Sequence, residues 1–421
     1  MLVALSSVGP TDYKVGDYFW LSEQGERQVI RTDLFPLAVD AFFHPDRLLL
    51  IVTEDARCHK NYERIEKAFG ERLQPVMVPL GKNEDELWQI FELVADAVPN
   101  DSRVILDVTH ALRSLPFVVF GVINYLRLTK GVALERIVYG AYDVRDNSAG
   151  DVPSVPVFDL TMMMELQEWM LGVEDFHNRC EGEKLAELLE EAQGRPWRAA
   201  QGRRDELPRQ LKEMGECIRD FSRSMRLLRP LDALASGSRA LIRAKNIEQE
   251  AVRWAKPFKY ILSRVTGELT PLAVGDVSAL NEKLLKAQLS LIDYFIEKGL
   301  IVQAALMERE WVINWLAWRM GFEKWQSKRE RKNIEEVLGL AVLVFCRKER
   351  GIDSLPDWYR RLPDAKGLAE LWNDLTNFRN DIAHCAMNDN PESPEKIIQK
   401  AREKTKRLWE LLTLYGMVNK S

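Results

Sequence analysis

Over the first 160 positions the apolar residues fall in short unbroken runs separated by amphipathic stretches. LVALS at the start, RLLLIVTE from Arg47, PVMVPL from Pro75, RVILDVTH from Arg103 and ERIVYGAY from Glu135 are too short for core helices and too continuous for half-exposed strands. Such runs predict strands buried on both faces. Between them LFPLAVDAFF, HKNYERIEKAFG, DELWQIFELVADAV and LPFVVFGVINYLRLTKG carry helical periodicity. Strand and helix therefore alternate, which predicts a parallel sheet flanked by helices. YFWLSEQGERQVI reads as a hairpin inserted after the first strand, with its turn at Glu23 to Glu26.

After PVFDL the strand pattern ends, and from Thr161 onward every apolar pattern has helical spacing. Pro196, Pro208, Pro230, Pro257 and Pro271 punctuate the middle and predict short helices joined by linkers. A long helical pair is expected between Ser278 and Arg319. Leu368, Leu371, Leu375, Phe378 and Ile382 then step by three and four, one buried stripe that NDNPESP brings to a stop. The fold class expected is α/β followed by all-α: residues 1–160, a helical linker region 161–277, and a C-terminal helical domain 278–421. Trp311, Trp315 and Trp318 form a stripe suited to a core or a dimer interface, and Met162 to Met164 read as core packing.

Composition narrows the class. With 46% hydrophobic and 29% charged residues the chain is globular, and no apolar run approaches the roughly 18 residues that span a bilayer. MLVALSSVGP has neither the basic flank nor the cleavage site of a secretory signal, so a cytoplasmic protein without membrane contact is expected. Five scattered cysteines, none in C-x-x-C spacing, suggest buried thiols, not disulfides or a zinc site. Charge is uneven: residues 1–160 hold 16 basic and 24 acidic side chains, whereas Arg195 to Arg264 holds 17 basic and 8 acidic. A basic stretch in an acidic protein suits phosphate, and equally a solvated helix face.

Two stretches carry candidate chemistry. DVTHALRSLP takes the chain from a strand into a helix, with Ser114 as an expected N-cap and Pro116 in the first turn. In open parallel sheets ligands bind at the carboxyl ends of strands, where helix N-termini offer free N–H groups to anions. Thr109, His110 and Arg113 belong to that position, and Ser6, Ser7, Gly9 and Thr11 of SSVGPTDY end the first strand in the same crevice. The alternative is structural: Asp107 bonding its own turn and His110 a satisfied loop histidine. No G-x-G-x-x-G or Walker sequence occurs, which leaves usual NAD and ATP sites without support.

The second stretch is NFRNDIAH, near an exposed helix end. A neutral imidazole moves protons near pH 7, and a guanidinium holds phosphate and stabilises charge on a pentacoordinate phosphorus. Arg379 and His384 together suffice for metal-free RNA cleavage by attack of the substrate's own 2′-hydroxyl. Five positions on an ideal helix turn through about 140°, so the two do not share a face, whereas Asn380 and His384 do. Two such ends meeting across a two-fold axis would complete a site, which points to a homodimer. The alternative here is His384 as a helix C-cap and Arg379 in a surface ion pair.

Taken together, the chain resembles the CARF and HEPN ribonucleases of the Csx and Csm type, ancillary effectors of type III CRISPR systems. DVTHALRSLP resembles that family's post-strand motif Asp-x-Thr-His-Gly-x-Arg, SSVGPTDYKVGDYFW its first-strand loop with spaced tyrosines Tyr13 and Tyr18, RNDIAH its Arg-x4-His signature, and MEREW its earlier core helix. Ala111 replaces the usual glycine, and SSVGPT replaces Leu-Gly-Thr. The stretch from Thr161 to Val277 carries no motif.

The resemblance implies a Rossmann-like CARF domain sensing cyclic oligoadenylate, tetra- or hexa-adenylate, through Thr109, His110 and Arg113. It implies a HEPN domain cleaving single-stranded RNA with Arg379 and His384 as catalytic residues and Asn380 in support. No cofactor or metal is expected, nor a stable complex with the type III effector. A non-catalytic nucleotide-sensing regulator, whose helical half binds nucleic acid or protein, is the competing expectation. Slow cleavage of the activator by the sensor is undecided by Thr109 and His110.

Overall fold

The computed structural model describes the chain except residues 23, 24, 111–113, 149, 200–206, 386, 388–390 and 417–421, and the side chains of 415 and 416. It divides into two compact units, Met1–Glu165 and Leu166–Ser421.

The described residues of the first unit form eight strands: β1 (Leu2–Ser7), β2 (Gly16–Leu21), β3 (Arg27–Thr32), β4 (Arg47–Val52), β5 (Leu73–Met77), β6 (Arg103–Asp107), β7 (Ala133–Gly140) and β8 (Ser154–Asp159). Their order is β3-β2-β8-β7-β6-β1-β4-β5. From β7 to β5 all neighbours are parallel, as the buried runs predict. The sheet as a whole is mixed, because the inserted hairpin β2–β3 is antiparallel and joins through β8, itself antiparallel to β7.

The two faces are covered by α1 (Phe35–Phe43), α2 (Glu54–Arg57), α3 (Lys60–Phe69), α4 (Glu84–Ala97) and α5 (Leu115–Thr129). The period-two alternation of β1 assigns each residue to one face. Ala4 packs with Phe35 and Ile65. Val3 and Leu5 pack with Ile90, Val119 and Ile123. Both faces of the central strands are thus dry, which explains their continuous apolar runs.

The second unit is helical throughout its described residues. It comprises the main part of α6 (Met162–Arg179), then α7 (Glu183–Ala199), α8 (Leu211–Arg226), α9 (Pro230–Trp254), α10 (Lys256–Leu269), α11 (Glu282–Glu297), α12 (Ile301–Arg319), α13 (Lys328–Phe345), α14 (Asp357–Arg360), α15 (Ala365–Ala383) and α16 (Pro394–Gly416). One hydrophobic core runs from Trp169 on α6 to Leu412 on α16, across the boundary expected at residue 277. A buried polar cluster ties the same regions together. The Glu268 carboxylate accepts the Tyr294 hydroxyl at 3.0 Å, meets His177 Nδ1 at 2.5 Å and pairs with the Lys298 ammonium at 3.2 Å.

Three local expectations are corrected. The prolines do not all break helices: Pro230 and Pro257 open α9 and α10, positions where a missing N–H costs nothing, and α7 continues through Pro196. Of the methionine run only Met164 is buried; Met162 and Met163 are 66% and 48% exposed. Three consecutive positions at a helix start sweep about 200°, and one core face cannot hold them all. Ser114 stands at the N-cap of α5, but its side chain makes no capping bond. Trp311 and Trp315 are fully buried, and the Trp311 indole N–H donates to the Leu285 carbonyl at 3.0 Å, so that stripe is core. Among the described residues no helix is long and apolar enough to cross a membrane.

Candidate sites at the strand ends and at the end of α15

The parallel register of β1 and β6, with Leu5 beside Leu106, sets Ser6 next to Asp107 at the carboxyl ends of the two central strands. The Ser6 hydroxyl donates to Asp107 at 2.5 Å, and the Thr109 N–H donates to the other carboxylate oxygen at 2.8 Å. Asp107 is almost fully buried, and burial pushes its carboxyl up to about 6 against the lowering effect of these two donors. Thr109 in turn accepts the Gly140 N–H at 2.9 Å, joining the end of β6 to that of β7. A Cβ at Gly140 would meet Phe35 at 2.6 Å and Tyr18 at 2.8 Å, so this close approach requires glycine.

His110 does a helix cap's work from a distance. Leu34, at the N-cap of α1, has no side chain able to accept a hydrogen bond, and the Phe35 N–H donates instead to His110 Nε2 at 3.2 Å. That bond requires an unprotonated Nε2, and burial holds the imidazole down to about 4. One ring face of His110 stacks on Tyr13, with centroids 3.8 Å apart. The Tyr13 hydroxyl accepts the Gly9 N–H at 2.8 Å, and the Thr11 carbonyl accepts the Asn61 side-chain amide at 2.8 Å. The first-strand loop is therefore held in place by Tyr13 and Asn61.

Of the residues expected in this crevice, Ser6, Gly9, Thr109 and His110 are joined through Asp107 and Tyr13 in one network. Thr11 is held through its backbone alone, its side chain exposed. Ser7 is buried and its hydroxyl has no hydrogen-bond partner. Arg113 lies outside the described residues, as do Ala111 and Glu23. Both structural alternatives for Asp107 and His110 are realised: the carboxylate does bond its own turn, and the imidazole is satisfied. Tyr13 is singled out by resemblance alone, since a tyrosine in the loop between β1 and β2 carries no positional signal of its own.

In the second unit the buried stripe on α15 is Leu368, Leu371, Leu375 and Phe378, with Ile382 half-buried. It faces α12 and α13, and leaves Arg379 exposed and His384 exposed at the C-cap. Asn380 links the two: its side-chain carbonyl accepts from the Arg379 guanidinium at 3.1 Å, and its backbone carbonyl accepts the His384 N–H at 2.9 Å. Cys385 follows at φ 55°, the left-handed turn that ends the helix. Among the described residues no carboxylate forms a salt bridge with Arg379.

Beneath this end lies a residue that pattern reading passes over. Glu308 of α12 is fully buried beside α16, where one carboxyl oxygen accepts the Thr405 hydroxyl at 2.8 Å and the other has no partner. Burial raises its pKa to about 8. The available signal is its place on the apolar stripe Ala304, Glu308, Trp311 and Trp315. Next to Thr405, the Lys404 ammonium lies 5.1 Å from the Phe378 ring, whose neighbour is Arg379.

Residues 165–271 match the family described as CRISPR-associated protein MJ1674, second domain. That is the region in which the sequence carries no motif. The chain is also 27% identical over 149 residues to CRISPR-associated protein MJ1674 of Methanocaldococcus jannaschii, a match that takes in 32% of this chain and 23% of that protein. The chain thus spans under a quarter of the length of that curated relative. Among solved structures, Enterococcus italicus Csm6 bound to cyclic hexa-2′-fluoro-hexa-dAMP aligns over 98% of this chain and 94% of that one, at 13% identity and a TM-score of 0.42. The chain is related to a CRISPR-associated protein, in keeping with the resemblance carried by its motifs.

Proposed function

We propose that this protein is a metal-independent endoribonuclease of type III CRISPR defence, a homodimer switched on by a cyclic oligoadenylate. The observation that carries the reading is the exposed pair Arg379 and His384 at the end of α15, bridged by the half-buried Asn380. Among the described residues the Arg379 guanidinium meets only this neutral amide, which leaves most of its donors for a phosphate.

In the reaction, the imidazole of His384 takes the proton of a substrate 2′-hydroxyl, and that oxygen bonds to the adjacent phosphorus. The bond from phosphorus to O5′ breaks, and O5′ leaves with a proton from His384 of the partner subunit. Arg379 stabilises the charge on the phosphoryl oxygens between these events. The products carry a 2′,3′-cyclic phosphate and a 5′-hydroxyl, and DNA, which lacks the nucleophile, is not a substrate.

The activator binds in the first unit at the carboxyl ends of β1 and β6. The accessible faces of Thr109 and His110 meet it, with Arg113 as its cation. Asp107 and Tyr13 position these groups. The relation to MJ1674 supports the CRISPR setting.

The chemistry is tested with a short RNA carrying a single 2′-deoxy substitution at its mapped cleavage position, incubated in EDTA with cyclic tetra- or hexa-adenylate. Loss of cleavage at that position alone, and 2′,3′-cyclic phosphate ends elsewhere, is expected. Cleavage through the deoxy position contradicts the mechanism.

A further inference from the structure

We infer that the groove between α9 and α10 is a single-stranded RNA track in the second unit, separate from the α15 end. The starting point is the excess of positive charge from Arg195 to Arg264. On α8 and the first half of α9 the arginines are neutralised: Arg219 by Glu183 and Glu190, Arg223 by Glu183, Arg226 by Glu181, Arg239 by Asp220 and Arg243 by Glu213. From Lys245 onward the pattern changes. Among the described residues Lys245, Lys256, Lys259 and Arg264 enter no ion pair, and all four are exposed. Most of the described cations of the stretch that lack an ion pair therefore lie on this one part of it.

That part borders a groove of about 660 Å³. Leu241 of α9 and Leu262 of α10 are in its floor, and Lys245, Lys259 and Lys283 stand on its walls with one acid, Glu248. Next in sequence to Lys259 but outside the groove's lining, Tyr260 is 79% exposed, with the Lys259 ammonium 5.7 Å from its ring centroid. Unpaired lysines along an apolar channel with a solvent-facing aromatic ring match the chemistry of single-stranded nucleic acid: phosphates meet ammonium groups and a base stacks on the ring. The groove offers little to read base identity, because the hydroxyls of Thr266 and Thr270 on its wall donate to carbonyls of their own helical turn, at 3.1 and 2.7 Å. The track holds RNA without regard to sequence. That its ligand is RNA and not an acidic polypeptide rests on the ribonuclease reading.

The test uses the full-length chain with His384→Ala, so that RNA survives, and a fluorescent single-stranded RNA of mixed sequence titrated by anisotropy at several KCl concentrations. Lys245→Glu with Lys259→Glu is expected to weaken binding by at least tenfold and to shrink the logarithmic salt slope by about 1.4, roughly 0.7 for each phosphate no longer neutralised. Tyr260→Ala is expected to weaken binding about fivefold with the slope unchanged. Affinity and slope within twofold of the parent in both variants, with unaltered melting, overturn the track. If the glutamate pair melts early, Lys245→Gln with Lys259→Gln is read the same way. Binding of poly-glutamate but not RNA through these lysines also overturns it. A chain that binds RNA through the groove yet never cleaves it removes the ribonuclease reading and leaves the track standing; cleavage with binding indifferent to the groove does the reverse.

Discussion

The ring of Tyr13 lies 3.8 Å from that of His110 and tilts only 23° from it, so the loop after the first strand and the loop after β6 share one stacked pair. Through it the Gly9 N–H, the α1 N-terminus and the Asp107 carboxyl belong to a single connected arrangement.

Removing that ring should loosen the activator site without unfolding the sheet. Tyr13→Leu loses the stack and the acceptor for Gly9, and its affinity for cyclic oligoadenylate should fall by about tenfold, the scale of one aromatic pair. Calorimetric titration of the full chain checks this. Tyr13→Phe, which keeps the stack, should lie closer to the parent.

Asp107 and His110 pull the pH dependence of the first unit in opposite directions. The Asp107 pKa is raised to about 6 in the fold, so its contribution is present at low pH and is lost as pH rises from about 4 through 6. The His110 pKa is lowered to about 4, so its contribution is present above about 6.5 and is lost as pH falls. Each is worth at most about 3 kcal/mol across that window. Asp107→Asn should therefore gain stability over the parent at pH 7 but not at pH 4. His110→Gln, which keeps an acceptor for Phe35, should compare better with the parent at pH 4 than at pH 7. Melting temperatures over pH 4 to 8 distinguish these trends from a common loss.

Glu308 gives the second unit its own pH signature. With a folded pKa of about 8, its contribution is complete at acid pH and declines as pH rises from about 4.5 to 8. Glu308→Gln keeps the partner of Thr405 and removes the titration. It should raise the melting temperature near pH 8 by several degrees, on the order of 3 kcal/mol, and leave it nearly unchanged near pH 5.

The Glu268 and Lys298 pair should be costly to break. Lys298 is almost wholly buried, with a side chain only 3% exposed, and its truncation strands a carboxylate among Tyr294 and His177. Lys298→Ala should lower stability by about 3 to 5 kcal/mol, visible as a drop of about 10 °C in the transition of the helical unit. An unchanged transition contradicts the structural role given to the cluster.

Much of the fold is legible because burial on both sheet faces forces continuous apolar runs, and the helices of the second unit keep their stripes. Each expected strand of the first 160 residues corresponds to an observed one, with the hairpin as β2 and β3. The antiparallel edge is not legible, since PVFDL carries no mark of direction. The length of α9, 25 residues, escapes pattern reading because Pro230 reads as punctuation although proline is favoured at a helix start. At the candidate sites, Arg379 and His384 are legible as a helix end. The cap supplied by His110 to α1, 75 residues away, is not, because no local pattern encodes a tertiary hydrogen bond.

On the proposed reading, a ligand-controlled Arg379 and His384 site cuts RNA. The most direct measurement is the cleavage rate of labelled single-stranded RNA in EDTA, with and without cyclic tetra- and hexa-adenylate, for the unaltered chain and for His384→Ala. At least one ring should accelerate the unaltered chain by well over tenfold, and His384→Ala should lose at least 100-fold of that rate, the scale of general acid–base catalysis. Binding of the ligand with no RNA cleavage under any condition, or cleavage undiminished in His384→Ala, contradicts the account.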